Sequence, residues 1–178
     1  MTSQHAKVAV LDHLVSYSSS VGVFTETLWA CDVLALRRSL YTIDFEVKVT
    51  KQDLVNEIRC ANAAFENGYT ARSKVYNISK LYKHACYLGR ASRRYTPNEF
   101  YFVVPFDLLA VVVDELRVPG YGIATIADGY LTFQRIAKKL HKTKIGLADM
   151  LPLLRKATTE NAVLRRKLLE ATTPPMVE

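Results

Sequence analysis

The sequence predicts an α/β domain in which a mixed central β-sheet is flanked by helices, followed by a C-terminal helical extension. Residues 43–49 alternate apolar and charged side chains, which is the period of a half-buried strand. Residues 99–104 form a nearly continuous apolar run closed by Pro105, as is typical of a buried central strand. Stretches with helical apolar spacing precede, separate and follow these strands, and this order places helices on the faces of a sheet.

Turn and cap residues mark where several predicted elements begin and end. Thr50 followed by Asp53 is typical of a helix start, because the hydroxyl caps the first turn and the carboxylate favours the helix dipole. This helix is predicted to reach about residue 65, with Gly68 beyond it as a stop. The dipeptide Asp128-Gly129 indicates a hairpin between the last two strands. The other predicted elements are helices over residues 5–18, 77–88 and 106–116 and strands over residues 22–28, 29–37, 42–49, 99–104, 123–126 and 130–133.

The composition changes near residue 146, which divides the chain into three predicted parts. Residues 1–145 form the compact domain, residues 146–173 a helical extension and residues 174–178 a disordered tail. The extension is predicted to contain one or two helices, with residues 158–160 as a break or a fresh start. Its apolar residues at helical spacing are Leu147, Met150, Leu151, Leu154, Val163, Leu164, Leu168 and Leu169. Such a stripe must be buried, so it packs either on the domain's own sheet or against a second copy in a homodimer.

Composition and cysteine usage predict a cytoplasmic protein without membrane contact. The chain has 178 residues and is 49% hydrophobic, which is ordinary for a globular domain. It has no apolar run approaching the roughly 18 residues of a membrane span. Its N-terminus lacks the basic segment and apolar core of a signal peptide. The three cysteines are an odd number without metal-ligand spacing, and we interpret them as reduced thiols.

Positive charge is concentrated in a stretch without acidic residues. The net charge is +7, and residues 67–98 contain no Asp or Glu. The basic residues of this acid-free window are Arg72, Lys74, Lys80, Lys83, Arg90, Arg93 and Arg94, and Tyr69, Tyr76, Tyr82, Tyr87 and Tyr95 are interleaved with them. Basic side chains release counterions from phosphates and tyrosines stack on unpaired bases, so we expect nucleic-acid contact here. The alternative is a solvated basic surface with the tyrosines packed inward.

Two acidic residues and a lysine form the candidate chemical site. Glu46 lies fourteen residues after Asp32, and the two are predicted to converge across a hairpin of adjacent strands. Two carboxylates close together suit Mg²⁺, which keeps waters for a substrate phosphate. Lys48 shares a strand face with Glu46, where it can hold a nucleophilic water or stabilise charge on phosphorus. The alternative is a solvated strand face with a weak ion pair between Glu46 and Lys48.

The order of these residues resembles a known family. The motif residues are Trp29, Asp32, Phe45, Glu46, Lys48, Thr50, Asp53, Leu54, Lys83, His84, Tyr101, Phe102, Pro105, Pro119, Gly120 and Gly122. Their pattern resembles the PD-(D/E)XK, or restriction-endonuclease-like, nuclease superfamily, and more narrowly a small branch in bacterial and phage genomes. The similarity spans about residues 24–136 and leaves out the C-terminal extension.

The resemblance implies a restriction-endonuclease-like core and Mg²⁺- or Mn²⁺-dependent hydrolysis of DNA phosphodiester bonds in a bacterial cytoplasm, with a phage origin also open. In this family pattern Asp32, Glu46 and the Val47 carbonyl would bind the metal, and Lys48 would position or activate the water. Cys31 stands where many members have proline. The extra acidic residue that many members carry on the first helix has no clear counterpart, and Asp12 and Glu26 are the candidates.

Three further residues are auxiliary candidates with alternatives. Asp53 either orients Lys83 or His84 at the rim of the site or interacts with the helix dipole. His84 is a general acid, a phosphate contact or a surface histidine, and Trp29 is most simply part of the core.

Two function hypotheses follow. The first is a metal-dependent deoxyribonuclease, and the alternative is a non-catalytic DNA-binding or protein-interaction module on the same fold.

Overall fold

A computed structural model describes residues 1–17, 20–25, 31–70, 77–92 and 95–172. The chain divides into two compact units, residues 1–144 and residues 145–178. The first unit holds the sheet and the candidate site, and the second is built on one long helix. The predicted tail over residues 174–178 lies outside the described residues.

The first unit contains a six-stranded mixed sheet whose spatial order follows the chain. The strands are β1 (Ser20–Thr25), β2 (Val33–Arg37), β3 (Thr42–Val47), β4 (Glu99–Pro105), β5 (Gly122–Ala127) and β6 (Tyr130–Arg135). β1, β2 and β3 pair antiparallel, β4 runs parallel to both β3 and β5, and β6 returns antiparallel to β5. The predicted α/β class with a mixed sheet and flanking helices is confirmed.

Helices cover the sheet and form the extension. They are α1 (Ser3–Tyr17), α2 (Lys51–Asn67), α3 (Ile78–Tyr87), α4 (Leu109–Glu115) and α5 (Leu147–Thr172). A short 3-10 turn over Phe106–Leu108 precedes α4, where the sequence predicts one helix from residue 106. None of the helices within the described ranges has the length and apolar character of a membrane span.

Local chemistry explains two of the predicted boundaries. Thr50 caps α2, because its hydroxyl accepts a hydrogen bond of 3.3 Å from the Asp53 backbone N–H. Asp128 and Gly129 join β5 to β6 with φ angles of 51° and 82°. Positive φ at both central residues is the geometry of the tight hairpin turn that Asp-Gly favours.

The predicted break in the extension is wrong, since α5 runs without interruption through residues 158–160. The hydroxyls of Thr158 and Thr159 donate to the carbonyls of Leu154 and Arg155, at 2.9 and 3.0 Å. These bonds lie within the helix and satisfy the hydroxyls without ending it.

The two faces of the sheet have separate cores, and β3 contributes to both sides. Ile43, Phe45 and Val47 pack with apolar residues of α1. Asp44 and Glu46 alternate with them and point towards α2 and α3, where the second core lies. The alternation that the sequence predicts for β3 therefore holds, and it aims the charged residues into the layer between the sheet and two helices.

Candidate active site

The charged face of β3 is buried. Asp44 is 0% exposed, Glu46 5% and Lys48, which follows directly after β3, 7%. The alternative of a solvated strand face is therefore excluded. Charged side chains are this deeply buried only when other charges or hydrogen bonds compensate them, so their partners define the site.

Glu46 is paired with two lysines, one on each carboxylate oxygen. Lys48 Nζ lies 2.6 Å from Oε1, as the side-by-side placement on one strand face predicts. Lys83 Nζ, from α3, lies 3.0 Å from Oε2. The angles of the second contact are not those of a hydrogen bond, so Lys83 is an ionic partner of Oε2, and Oε2 accepts no hydrogen bond from the described residues.

Three carboxylates and three lysines form one charged cluster, namely Glu46, Asp53, Glu57, Lys48, Lys80 and Lys83. Glu57 of α2 contacts all three lysines, and none of the sequence motifs predicted it. It is 0% exposed. Its oxygens lie 2.6 Å from Lys83 Nζ, 2.7 Å from Lys80 Nζ and 3.7 Å from Lys48 Nζ. One signal in the sequence could have found it, because Glu57 interrupts the apolar face of the helix on which Leu54 and Ile58 lie.

Asp53 closes the exposed side of this cluster. Its carboxylate contacts Lys80 Nζ at 2.8 Å and Lys48 Nζ at 3.3 Å, and its side chain is half exposed. The interpretation that Asp53 orients Lys83 or His84 is wrong, because both point deeper into the protein towards Glu57. Asp53 stands one helical turn before Glu57, so the two carboxylates face α3 in succession.

His84 lies beneath the cluster rather than at the surface. Its Nε2 is 3.0 Å from Glu57 Oε1 and its Nδ1 is 3.0 Å from the Tyr121 hydroxyl. The ring is fully buried and packs edge-on against Phe100. The interpretations as a phosphate contact and as a surface histidine are therefore wrong. Burial lowers the pKa of His84, although Glu57 opposes this effect.

Asp32 lies at the same end of β3, immediately before β2. Its Oδ2 accepts a hydrogen bond of 2.8 Å from the Val47 N–H, and Val47 is the neighbour of Glu46. Its Oδ1 forms an ion pair of 2.9 Å with Lys7 of α1, the helix on the other side of the sheet. The Asp32 carboxylate is thus anchored to the backbone next to Glu46, with one oxygen on Lys7 of α1, whereas the Glu46 carboxylate contacts Lys83 of α3. Convergence of the two carboxylates on one metal stays a prediction.

Asp32 and Glu46 carry the carboxylate oxygens that could meet a divalent cation at this end of β3, and in the structure each of them is paired with a lysine. Both Asp32 and Glu46 neutralise their charge with lysine ammonium groups, and Glu46 Oε2 has an ionic contact without hydrogen-bond direction. Carboxylate oxygens of this kind are ligands that Mg²⁺ prefers. No group of three or more His, Cys, Asp or Glu side chains is arranged for a metal in the described ranges. A metal here would be held by Asp32, Glu46, the Val47 carbonyl and water, in keeping with the waters that Mg²⁺ retains.

Electrostatics keep both buried lysines protonated. Burial alone would lower the pKa of Lys48, but the charges of Glu46 and Glu57 raise it above its ordinary value. The same two carboxylates raise the pKa of Lys83 well above its usual range against the effect of burial. Lys48 is therefore a cation and a hydrogen-bond donor in this arrangement, and a role as a proton acceptor does not fit.

Asp44 is the one carboxyl of this face without an ammonium in direct contact among the described residues. Tyr87 donates a hydrogen bond of 2.8 Å to its Oδ2, Cys31 lies beside that tyrosine, and Lys83 acts only from a distance. Burial, followed by the charge of Glu46, raises the pKa of Asp44 to about 7.

This raised pKa predicts a pH-dependent loss of stability. The folded state keeps the proton of Asp44 in the range between about pH 4 and pH 7, where the unfolded state has lost it, so the free energy of unfolding falls as pH rises. We expect Asp44→Asn, which cannot ionise, to reduce this fall between about pH 4 and pH 7. Each pKa unit corresponds to about 1.4 kcal/mol. Urea unfolding across this range measures the effect, and parallel pH profiles for the wild type and Asp44→Asn would contradict it.

The structure separates the predicted DNA-contacting residues. Lys83 is buried between Glu46 and Glu57 and is not placed to meet a phosphate at the surface. Lys80 is partly exposed and held by Asp53 and Glu57, and Arg90 is exposed. Several predicted residues lie outside the described ones, namely Glu26, Trp29, Arg72, Lys74, Tyr76, Arg93 and Arg94.

Two tyrosines of the acid-free window follow the alternative interpretation. Tyr87 and Tyr95 are buried, so they pack inward and are not available to stack on bases. Tyr82 is more exposed, packs edge-on against Tyr69 and donates a hydrogen bond to the Ser92 carbonyl. Nucleic-acid contact by this window stays a prediction that rests on Arg90, on Lys80 and on residues outside the described ranges.

Comparisons with known proteins extend the description of the fold and not of the chemistry. No protein-family model matches the chain, and no curated protein matches it. A solved structure described as the SPO1766 protein of unknown function from Silicibacter pomeroyi is similar, with a TM-score of 0.56 and 18% sequence identity. The similarity covers 100% of this chain and 98% of that chain. At this identity the likeness shows a shared fold.

Proposed function

We propose that the chain is a Mg²⁺- or Mn²⁺-dependent deoxyribonuclease of the PD-(D/E)XK type, with its active site at the end of β3. The observation that carries this proposal is the buried pair of Glu46 and Lys48, held in contact at 2.6 Å, with the Asp32 carboxylate hydrogen-bonded to the backbone N–H of the intervening Val47. The order of the strands supports it, because the acid-bearing segment precedes β2 and the Glu-x-Lys sequence ends β3, as the family pattern has it.

The proposed reaction is hydrolysis of a DNA phosphodiester. A water oxygen forms a bond to phosphorus, the bond from phosphorus to one sugar oxygen breaks, and the proton lost by the water is balanced by the proton gained at the leaving oxygen. A divalent cation, when bound, would polarise the phosphate and lower the pKa of a water. Asp32 and Glu46 would hold that cation, with the Val47 carbonyl.

Lys48 has a defined task in this proposal. As a protonated amine it has three N–H donors and a positive charge next to Glu46. It therefore orients the attacking water and stabilises negative charge that develops on the phosphate oxygens, and it does not remove the proton itself. A fixed positive charge stabilises a transition state most strongly in a site from which water is largely excluded, and the burial of Glu46 and Lys48 supplies such surroundings.

The second hypothesis, a binding module without turnover, is favoured by a different observation. Each carboxylate of the cluster already has an ammonium partner within 4 Å, so the cluster is also a charge-balanced core in its own right. In that case Arg90 and the rest of the acid-free window would bind DNA, and metal ions would leave the DNA uncut.

Plasmid relaxation distinguishes the two hypotheses. We expect the wild-type chain to nick supercoiled DNA with Mg²⁺ or Mn²⁺ and not with EDTA, and Glu46→Gln to abolish nicking under the same conditions. Glu66→Gln is the matched control, because Glu66 makes an exposed ion pair with Arg117 on the outer side of α2. Binding of labelled DNA without metal-dependent nicking would support the module, and equal nicking by the wild type and Glu46→Gln would remove Glu46 from the site.

A further inference from the structure

We propose that Glu57 is a positioning residue of this site, which holds the ammonium groups of Lys48 and Lys83 against the two oxygens of Glu46. The proposal rests on the proposed function and concerns a residue outside every motif of the sequence. Glu57 touches neither Asp32 nor any atom of the proposed metal set in the described contacts, so its effect on the reaction is transmitted through the lysines.

The contacts form a closed ring of alternating charge. Lys83 Nζ lies between the two carboxylates, 3.0 Å from Glu46 and 2.6 Å from Glu57. Lys48 Nζ lies between the same two carboxylates, 2.6 Å from Glu46 and 3.7 Å from Glu57. Each lysine is thus attracted from two sides, and its attraction to Glu57 limits how far its ammonium group can move from Glu46.

Glu57 is itself fixed from the core. Its Oε1 accepts from His84 in the protonation state in which Nε2 carries a hydrogen, and the other ring nitrogen of His84 meets the Tyr121 hydroxyl at 3.0 Å. Tyr121 and His84 are both fully buried among aromatic rings. The side chain of Glu57 is therefore held by α3 and by the segment before β5, while α2 fixes its backbone.

Charge balance alone does not account for this construction. Buried ion pairs contribute little net stability compared with well-packed apolar residues of similar size. The ring instead determines where two ammonium groups stand, and this is the property that the proposed reaction uses. Supporting residues of this kind typically change activity by about 10- to 100-fold when they are altered.

The test compares Glu57→Gln with the wild type in steady-state cleavage of a DNA substrate in the presence of Mg²⁺. We expect kcat to fall about 10- to 100-fold while KM changes little. The reason is that the substitution displaces two lysines that act on the transition state and do not contribute to DNA binding. Glu66→Gln, the same chemical change on the outer face of α2, is expected to keep both constants. An unchanged kcat for Glu57→Gln, or a rise in KM alone, overturns the proposal.

Tyr121→Phe is a milder second variant in case Glu57→Gln does not fold. It removes only the hydroxyl that holds His84, so we expect a smaller decrease in kcat, of at most about 10-fold, which corresponds to one hydrogen bond. If Glu57→Gln is unfolded and Tyr121→Phe has the kcat of the wild type, Glu57 is a stability residue and the proposal is wrong.

A measurement without DNA separates this proposal from the nuclease proposal. Ammonium groups held in buried ion pairs exchange their hydrogens slowly, so the Nζ signals of Lys48 and Lys83 should be visible by NMR in protein with labelled lysine. We expect both signals to be lost or broadened in Glu57→Gln and kept in Glu66→Gln. If the wild type cuts no DNA but the signals behave in this way, only the nuclease proposal fails; if the signals persist in Glu57→Gln, positioning by Glu57 fails.

Discussion

Lys48→Ala is expected to lower kcat for DNA cleavage by about 100- to 1,000-fold, the usual cost of removing one group that stabilises charge in a transition state. The affinity for DNA should change little, because Lys48 is buried beside Glu46 and is not part of an exposed surface. The measurements are single-turnover cleavage with Mg²⁺ and DNA binding by fluorescence anisotropy without a metal.

The matched control for Lys48→Ala is Lys51→Ala. Lys51 is exposed at the start of α2, three residues after Lys48. Its substitution removes one positive charge from the same part of the chain and leaves the buried charged cluster intact. We expect Lys51→Ala to cleave at the wild-type rate. A Lys48→Ala protein that cleaves DNA normally would mean that the lysine only balances the charge of a buried strand face.

Glu57→Gln is expected to lower the free energy of unfolding by about 3–5 kcal/mol, the cost of removing one partner from a buried ion pair. The substitution leaves Lys80 and Lys83 without the carboxylate that lies 2.7 and 2.6 Å from their ammonium groups. Part of this cost reflects the deep burial of Glu57, and its pKa is lowered by Lys83 and His84 although burial opposes that effect.

Urea unfolding of Glu57→Gln and Glu66→Gln measures the difference directly. Glu66 makes an exposed pair with Arg117, and such surface pairs contribute about 0–1 kcal/mol. Equal loss of stability in the two variants would show that the cluster around Glu57 is much more hydrated than its burial indicates. Because the lowered pKa of Glu57 adds stability only above its unfolded value, the gap should shrink as pH falls below about 4.

The strands were the part of the fold that periodicity predicted well. On β3 the alternation of apolar and charged residues identified both faces, and the continuous apolar run of β4 indicated a strand buried on both sides. Both features are local, since neighbouring residues alone determine them. The Thr50 cap and the Asp128-Gly129 hairpin are local for the same reason.

The surroundings of the site could not be predicted from local patterns. Glu46, Glu57 and Lys83 come from β3, α2 and α3, and they meet only because those helices cover one face of the sheet. His84 reads as polar beside a lysine in the sequence, yet the helix turns it towards Phe100 and Tyr121. Neither the burial of His84 nor the role of Glu57 follows from spacing along the chain.

Both predictions for the apolar stripe of α5, packing on the domain's own sheet or against a second copy, stay open. Leu147, Leu151 and Leu154 are 70%, 46% and 47% exposed. The apolar spacing predicted this helix, because it is a local property, but the partner of an apolar helix face is not encoded in its period. Homodimerisation through the C-terminal extension stays a prediction, which light scattering of the full chain measures.

Anomalous diffraction from a crystal soaked in Mn²⁺ tests the central claim most directly, since it locates the metal independently of any DNA substrate. We expect a peak in contact with the carboxylate oxygens of Asp32 and Glu46, and the loss of that peak in Glu46→Gln. In the wild type with Mn²⁺ bound, the ammonium group of Lys83 should keep its contact with Glu57 and lose its contact with Glu46 Oε2. A map with no peak at this end of β3 under saturating Mn²⁺, or a peak remote from both carboxylates, would contradict the claim.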